Sequence, residues 1–221
     1  MTVWHTYVRR GELSGLEESE GLDPAVCCPH GYALISVEMR GSGTGDGPVI
    51  TGTQEEENGF DVTEAVAKMT WCNGNFGMAG NSYLAISPWF IASTRPPSLK
   101  AITPWEGASD LYREQFCRGG WFSMSNFDLI SKETLRGPPN SRVEDFAEMC
   151  PRSPIINAFR NDKRVDLSKI ESPAYIWGRD VSNLHNLGGI RAWMRSFIPR
   201  SGFGGALAKS ASKLYSYLEA H

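Results

Sequence analysis

Gly80-Asn81-Ser82-Tyr83-Leu84 is the segment of this 221-residue chain whose residue types and order best suit covalent chemistry. It joins a short strand pattern, Phe76 to Ala79, to a helical pattern that runs to about Ser93. A serine with a glycine two positions before it, at a strand-to-helix turn, has the layout of a nucleophile elbow. The turn is sharp, so a small residue is needed ahead of the serine. It lifts the hydroxyl clear of the sheet and aims the next helix N-terminus at it. The amide of Tyr83 is then placed to donate to a tetrahedral oxyanion. Leu84 stands where a second glycine is usual. The plainer reading of the same residues is a serine that caps an ordinary helix.

A serine nucleophile needs a base, and the base needs a group that orients it. Asp180 follows a strand-like run, Ser172 to Trp177, and fits a chain order of serine, acid, histidine. It reads equally well as a solvated loop residue or a helix cap. The four histidines are His5, His30, His185 and His221. Two precede the serine. His185 stands too close to Asp180 for a base carried on a separate loop, and His221 is the last residue of the chain.

Other chemistries are disfavoured by spacing. The glycine loop 41–47 does not give G-x-G-x-x-G, Pro48 blocks an immediate helix, and no G-x-x-x-x-G-K-[ST] occurs. The five cysteines contain no C-x-x-C, and Cys27-Cys28 beside His30 is not a metal-ligand spacing. Neither a metal nor a cofactor is expected.

The elements that would position Ser82 read as an α/β domain. Gly31 to Val37 is a nearly continuous apolar run of strand length, suited to a parallel strand covered on both faces. Asp61-Val62-Thr63-Glu64 resembles a capping box, and Val62, Ala65, Val66 and Met69 follow at helical spacing. Pro88 is tolerable in the helix after Ser82 only near its start or as a kink. Pro96-Pro97 ends that helix, and Leu99 to Thr103 reads as a strand. Residues 108–165 change character, with scattered aromatics and short helical patterns such as Val143 to Met149. A helix-like stretch from Ile190 to Phe197 follows the run at Ser172. Strand and helix alternate around a helical insertion, which indicates a mostly parallel sheet.

Composition agrees with a globular protein that acts on small molecules. Charged residues make up 21%, net charge is −3, and mean hydropathy is −0.32. No apolar run approaches the roughly 20 residues that span a bilayer. A pI of 5.8 and dispersed Lys/Arg argue against nucleic acid as partner. The polar first 20 residues lack a signal-peptide core, so a cytoplasmic location with reduced thiols is expected. Trp105, Tyr112, Trp121, Phe122 and Phe127 suit either an apolar acyl pocket or the core of the insertion.

His30-Gly31-Tyr32, Arg40-Gly41-Ser42-Gly43 and Trp71-Cys72-Asn73-Gly74-Asn75-Phe76-Gly77-Met78 lead into the Ser82 segment. With Arg95 to Ile102, Pro104-Trp105-Glu106-Gly107 and Asp110 to Glu114, they resemble the cocaine esterase and Xaa-Pro dipeptidyl-peptidase family of α/β-hydrolases. The match runs over about residues 28 to 122 and again from Pro173 to Trp193. The resemblance implies an α/β-hydrolase fold, incomplete here, with a mostly parallel sheet and a helical cap insertion. It implies one domain over 1–221, with core segments 28–107 and 170–198, a cap at 108–165 and an atypical tail at 199–221. Ser82 would be the nucleophile, the Tyr83 amide an oxyanion donor and Asp180 the triad acid. The activity implied is cleavage of a small ester or amide through an acyl-enzyme.

Several family features have no counterpart in this chain. Relatives begin with strands that precede the first one read here, one bearing a tyrosine that supplies a second oxyanion donor. Their β-rich C-terminal domain and histidine-bearing loop are also missing, which leaves His221 as a displaced base. The chain therefore reads as a central piece cut at both ends. The alternative expectation is a catalytically dead fragment of the fold that acts, if at all, by binding. Glu106, Asp110 and Glu114 are three candidates to hold a peptide substrate's amine.

Overall fold

The computed structural model describes residues 2–5, 20–41, 46–133, 144–177 and 186–197. Strands β1 (Thr2–His5), β2 (Ile35–Glu38), β3 (Phe76–Asn81) and β4 (Leu99–Trp105) form one sheet in the order β2-β1-β3-β4, parallel throughout. Residues 173–177 continue it in parallel beyond β4. Ile102 N–H donates to Pro173 O at 3.0 Å, and Tyr175 N–H returns to Ile102 O at 2.9 Å. Helix α1 (Pro24–Cys27) precedes β2, α2 (Thr53–Ala67) precedes β3, and α3 (Tyr83–Ser93) joins β3 to β4. The insertion holds a six-residue π-helical turn (Leu111–Phe116), α4 (Met124–Glu133), α5 (Phe146–Arg152) and α6 (Ala158–Asp162); α7 (Asn186–Phe197) follows.

Three elements differ from the sequence expectation. β1 lies at the very start of the chain and is inserted between β2 and β3, so Ile35–Glu38 is not the first strand. Four residues among polar neighbours leave no periodic signal. β2 is shorter than Gly31 to Val37 and alternates half-buried with exposed side chains, as an edge strand does. α2 begins eight positions before the Asp61 box. Gly52 opens it at φ 101°, and Asp162 caps it by accepting from Thr53 N–H at 3.0 Å. The buried face of α2 is Glu55, Gly59, Thr63 and Val66, too polar to register as an apolar stripe.

α3 is buried along its whole length, and most of the main core surrounds it. A helix enclosed in this way gives no amphipathic signal. Two hydrophobic clusters result among the described residues. One packs the sheet against α2 and α3, with Met78, Ile86, Phe90 and Ile102 at its centre. The other lies inside the insertion: Tyr112, Phe116, Cys117, Phe146 and Cys150. Lys163, 1% exposed, helps to join them. Its ammonium donates to Thr51 O at 2.6 Å and pairs with Glu144 at 2.7 Å and Asp162 at 2.5 Å.

Candidate active site

Ser82 occupies the turn between β3 and α3 with φ 59° and ψ −119°. A non-glycine residue held there costs on the order of 1–3 kcal/mol, so the surroundings must enforce it. The backbone does so on both sides. Ser82 N–H donates to Trp105 O at 3.0 Å, and Ser82 O accepts from the amides of Ala85 and Ile86 at 3.0 and 3.1 Å. Ser82 caps α3 through its carbonyl, and no side-chain cap bond from it is present. That separates this turn from an ordinary capping serine, whose hydroxyl would accept from the helix.

Close approach makes the turn possible. A Cβ on Gly80 would collide with the Leu84 side chain, so the glycine two before the serine is required by contact. The missing second glycine is replaced from elsewhere. A Cβ on Gly107, just past β4, would meet Ala85 Cβ at 2.9 Å. Gly188 in α7 in turn seats against Gly107 O and Ala108. Sequence reading missed both, because their partners lie on other elements; Gly107 after a strand end was the available signal.

Tyr83 opens α3, which puts its amide in the unpaired first turn of that helix. Its side chain is a structural anchor. The hydroxyl donates to Glu55 Oε2 at 3.2 Å and touches Met39 Sδ at 3.5 Å, all buried. Burial pushes Glu55 up to about 7, opposed by the Tyr83 hydroxyl and the Lys163 charge. Burial and the neighbouring Glu55 raise the Tyr83 phenol well above its usual range.

The carboxyl ends of three strands meet at this point. Asn81 pairs with Trp105, and Trp105 bridges to Trp177. Glu106 N–H donates to Trp177 O at 2.8 Å. Trp177 thus ends on the Ser82 side of the sheet, shortly before Asp180. Asp180, His185 and His221 themselves lie outside the described residues. His30 Nδ1 is engaged with Val26 O at 2.8 Å, and His5 lies in β1. Among the described residues no group of three or more His, Cys, Asp or Glu is placed to hold a metal.

The three amine-anchor candidates separate by burial. Asp110 is 3% exposed and caps the π-helical turn by accepting from Arg113 N–H at 2.9 Å. Glu114, 1% exposed, accepts from the amides of Ser109 and Asp110 at 2.8 and 3.0 Å. Both are engaged by local backbone. Glu106 is half-buried, has φ 54° and stands beside the Ser82 turn at the end of β4. Of the five aromatics, Tyr112, Trp121 and Phe122 line a cavity of about 460 Å³; Trp105 and Phe127 do not.

Residues 3–161 match the family described as X-Pro dipeptidyl-peptidase (S15 family). The chain belongs to that family. It is 30% identical over 132 residues to a cocaine esterase from Rhodococcus sp. (strain MB1 Bresler), covering 58% of this chain and 23% of the esterase. It is 32% identical over 122 residues to an Xaa-Pro dipeptidyl-peptidase of Lactobacillus delbrueckii subsp. lactis, covering 47% and 15%. A crystal structure of a CocE/NonD family hydrolase from Staphylococcus aureus superposes with a TM-score of 0.74 at 30% identity, over 87% of this chain and 38% of that one. This S15-family chain therefore has their α/β fold, and it spans less than half the length of each of these relatives. Among the described residues no helix is long and apolar enough to cross a membrane.

Proposed function

We propose that this S15-family chain carries the nucleophile of a serine hydrolase, cleaving a small ester or amide through an acyl-enzyme on Ser82. The observation that carries the reading is the Ser82 backbone, held at φ 59° by its bond to Trp105 and by close packing at Gly80 and Gly107. A strained residue at the carboxyl end of a parallel strand is where this architecture puts reactive groups. In the proposed reaction the hydroxyl attacks the acyl carbon while a base takes its proton. The Tyr83 amide donates to the oxyanion, and water later releases the acyl group. Asp180 is proposed as the acid and His221 as the base, with Trp177 delivering the chain to the Ser82 side of the sheet ahead of Asp180. Residues 108–165 are proposed as the cap. For a peptide substrate, Glu106 is the proposed amine anchor, because it is half-buried and stands beside the Ser82 turn past the end of β4.

Turnover of a chromogenic acetate ester and of a dipeptidyl anilide with proline before the anilide tests this. Wild-type chain should release chromophore from one or both, and Ser82→Ala should lose it by on the order of 10⁴-fold or more. Folded wild type that turns over neither, or a Ser82→Ala variant that keeps the activity, overturns the reading.

A further inference from the structure

The insertion contains a second reactive arrangement that hydrolysis at Ser82 does not use. Cys117 ends the π-helical turn and Cys150 lies in α5; both are buried and both line the 460 Å³ cavity. Both belong to one buried cluster, and each thiol is the largest influence on the other's acidity. Tyr112, on the same turn as Cys117, donates its hydroxyl to Cys150 O at 3.3 Å, which ties the two elements together. Three guanidinium-bearing residues from three elements line the same space: Arg113 of the π-helical turn, Arg160 of α6 and Arg191 of α7. Arg160 lies 4.1 Å over the Tyr112 ring. Arg113 makes a long contact of 3.9 Å to the Asp110 carboxylate, and among the described residues no Asp or Glu lines the cavity. Trp121 and Phe122 complete the wall, so the space is aromatic, cationic and furnished with two thiols.

The two thiols are unequal. The Cys150 hydrogen bond pulls Cys117 down to about 7 against the effect of burial, with the Tyr112 hydroxyl and the Arg160 charge adding to it. The bond to Cys117, burial and the charge on Cys117 all raise Cys150. A thiolate flanked by positive charge is the attacking partner in thiol–disulfide exchange, and a protonated neighbour within reach is the resolving one.

We propose that this cavity is a thiol–disulfide exchange site for a small anionic disulfide, in which Cys117 attacks and Cys150 resolves. The anionic groups of the disulfide sit among Arg113, Arg160 and Arg191. The Cys117 thiolate attacks one sulfur of R–S–S–R. A protein–S–S–R disulfide forms, the S–S bond of the small disulfide breaks, and R–S⁻ leaves and takes up a proton. Cys150 then loses its proton and attacks the Cys117 sulfur, forming the Cys117–Cys150 disulfide and expelling the second R–S⁻, which is protonated. Two protein thiols are oxidised and one disulfide is reduced to two small thiols.

The test uses the full chain with Cys27, Cys28 and Cys72 changed to serine and the fold checked by circular dichroism. The probes are dithiobis(nitrobenzoate), an aryl disulfide with a carboxylate on each ring, and neutral dithiodipyridine. With Cys150→Ser added, mass spectrometry should find the aryl adduct on Cys117. With Cys117→Ser it should find none, and the parent should end as the internal disulfide with two aryl thiolates released. Arg113→Gln/Arg191→Gln, which keeps the Arg160 charge beside Cys117, should slow the anionic probe roughly tenfold while leaving the neutral one within about twofold. Arg191→Gln alone repeats the comparison without disturbing the Arg113 contact to Asp110. First attack at Cys150, equal slowing of both probes, or reaction only after denaturation overturns the proposal. Peptide mapping of the unsubstituted chain gives the same reading should the triple-serine background not fold.

Discussion

The Ser82 turn and the Cys117–Cys150 cavity place a reactive side chain by opposite means. At Ser82 the backbone does the work. A φ of 59° is imposed by ladder hydrogen bonds and by glycines that admit Leu84 and Ala85. At Cys117 the backbone has an ordinary negative φ, −120°, and the neighbouring groups and charges set the reactivity. The first arrangement resists salt but fails when a methyl group is added. The second tolerates small shape changes but depends on every nearby charge. A fold can thus carry one site in its covalent geometry and another in its side-chain electrostatics.

Four substitutions probe that contrast, taken from the largest expected effect down. Lys163 joins the two regions, and Lys163→Met leaves the half-buried carboxylates of Glu144 and Asp162 without their shared cation. Breaking such a pair costs on the order of 3–5 kcal/mol, read as a shifted urea midpoint, and both sites should loosen together. Glu55 under the Ser82 turn gives a pH signature. Its folded pKa is raised from 4.5 to about 7, so the folded chain keeps a proton that the unfolded chain releases. Stability from this group is complete below about pH 4.5 and falls as pH rises through about 7, by on the order of 3 kcal/mol. Glu55→Gln should flatten that fall in urea titrations run across the range.

Ser82→Gly relieves the strained φ and should stabilise the chain by about 1 kcal/mol in melting experiments while removing the nucleophile. A destabilised variant would mean that the turn is not under strain. The smallest effect is on Cys117. Its alkylation rate should reach half its plateau near pH 7, and Arg160→Gln should move that midpoint upward, measured with iodoacetamide. The groups that set it are Tyr112 on its own turn, Cys150 of α5 and Arg160 of α6, with Arg113 and Arg191 at the cavity wall. High salt should raise the midpoint as well, and should leave reactivity at Ser82 unchanged.

How much of this was legible in the sequence follows from the same contrast. The Ser82 turn is local: glycine, serine, a strand before and a helix after stand within a few residues, so the motif was readable. Its supports were not. Gly107 and Gly188 touch Ala85 and each other only after the sheet forms, and β1 is too short to show a period. The start of α2 was misread because Glu55, Gly59 and Thr63 on its buried face look polar in sequence, although the Tyr83 hydroxyl and the Ile91 side chain fill the space against them. In the insertion the helical pattern near Val143 to Met149 and the aromatics Tyr112, Phe122 and Phe127 as core were readable, and the pairings between elements were not. Phe116 and Phe146 stack at 4.2 Å, and Cys117 and Cys150 join one cluster, across elements whose order has no repeating pattern.

Fluorophosphonate labelling of the purified chain, with peptide mapping and Ser82→Ala as control, tests the central claim most directly. A phosphonate reacts with a serine hydroxyl only where a base and oxyanion donors activate it. The account predicts one adduct, on the peptide carrying Ser82, absent from Ser82→Ala and from denatured wild type. Folded protein that stays unlabelled, or an adduct on another serine that survives Ser82→Ala, would contradict it.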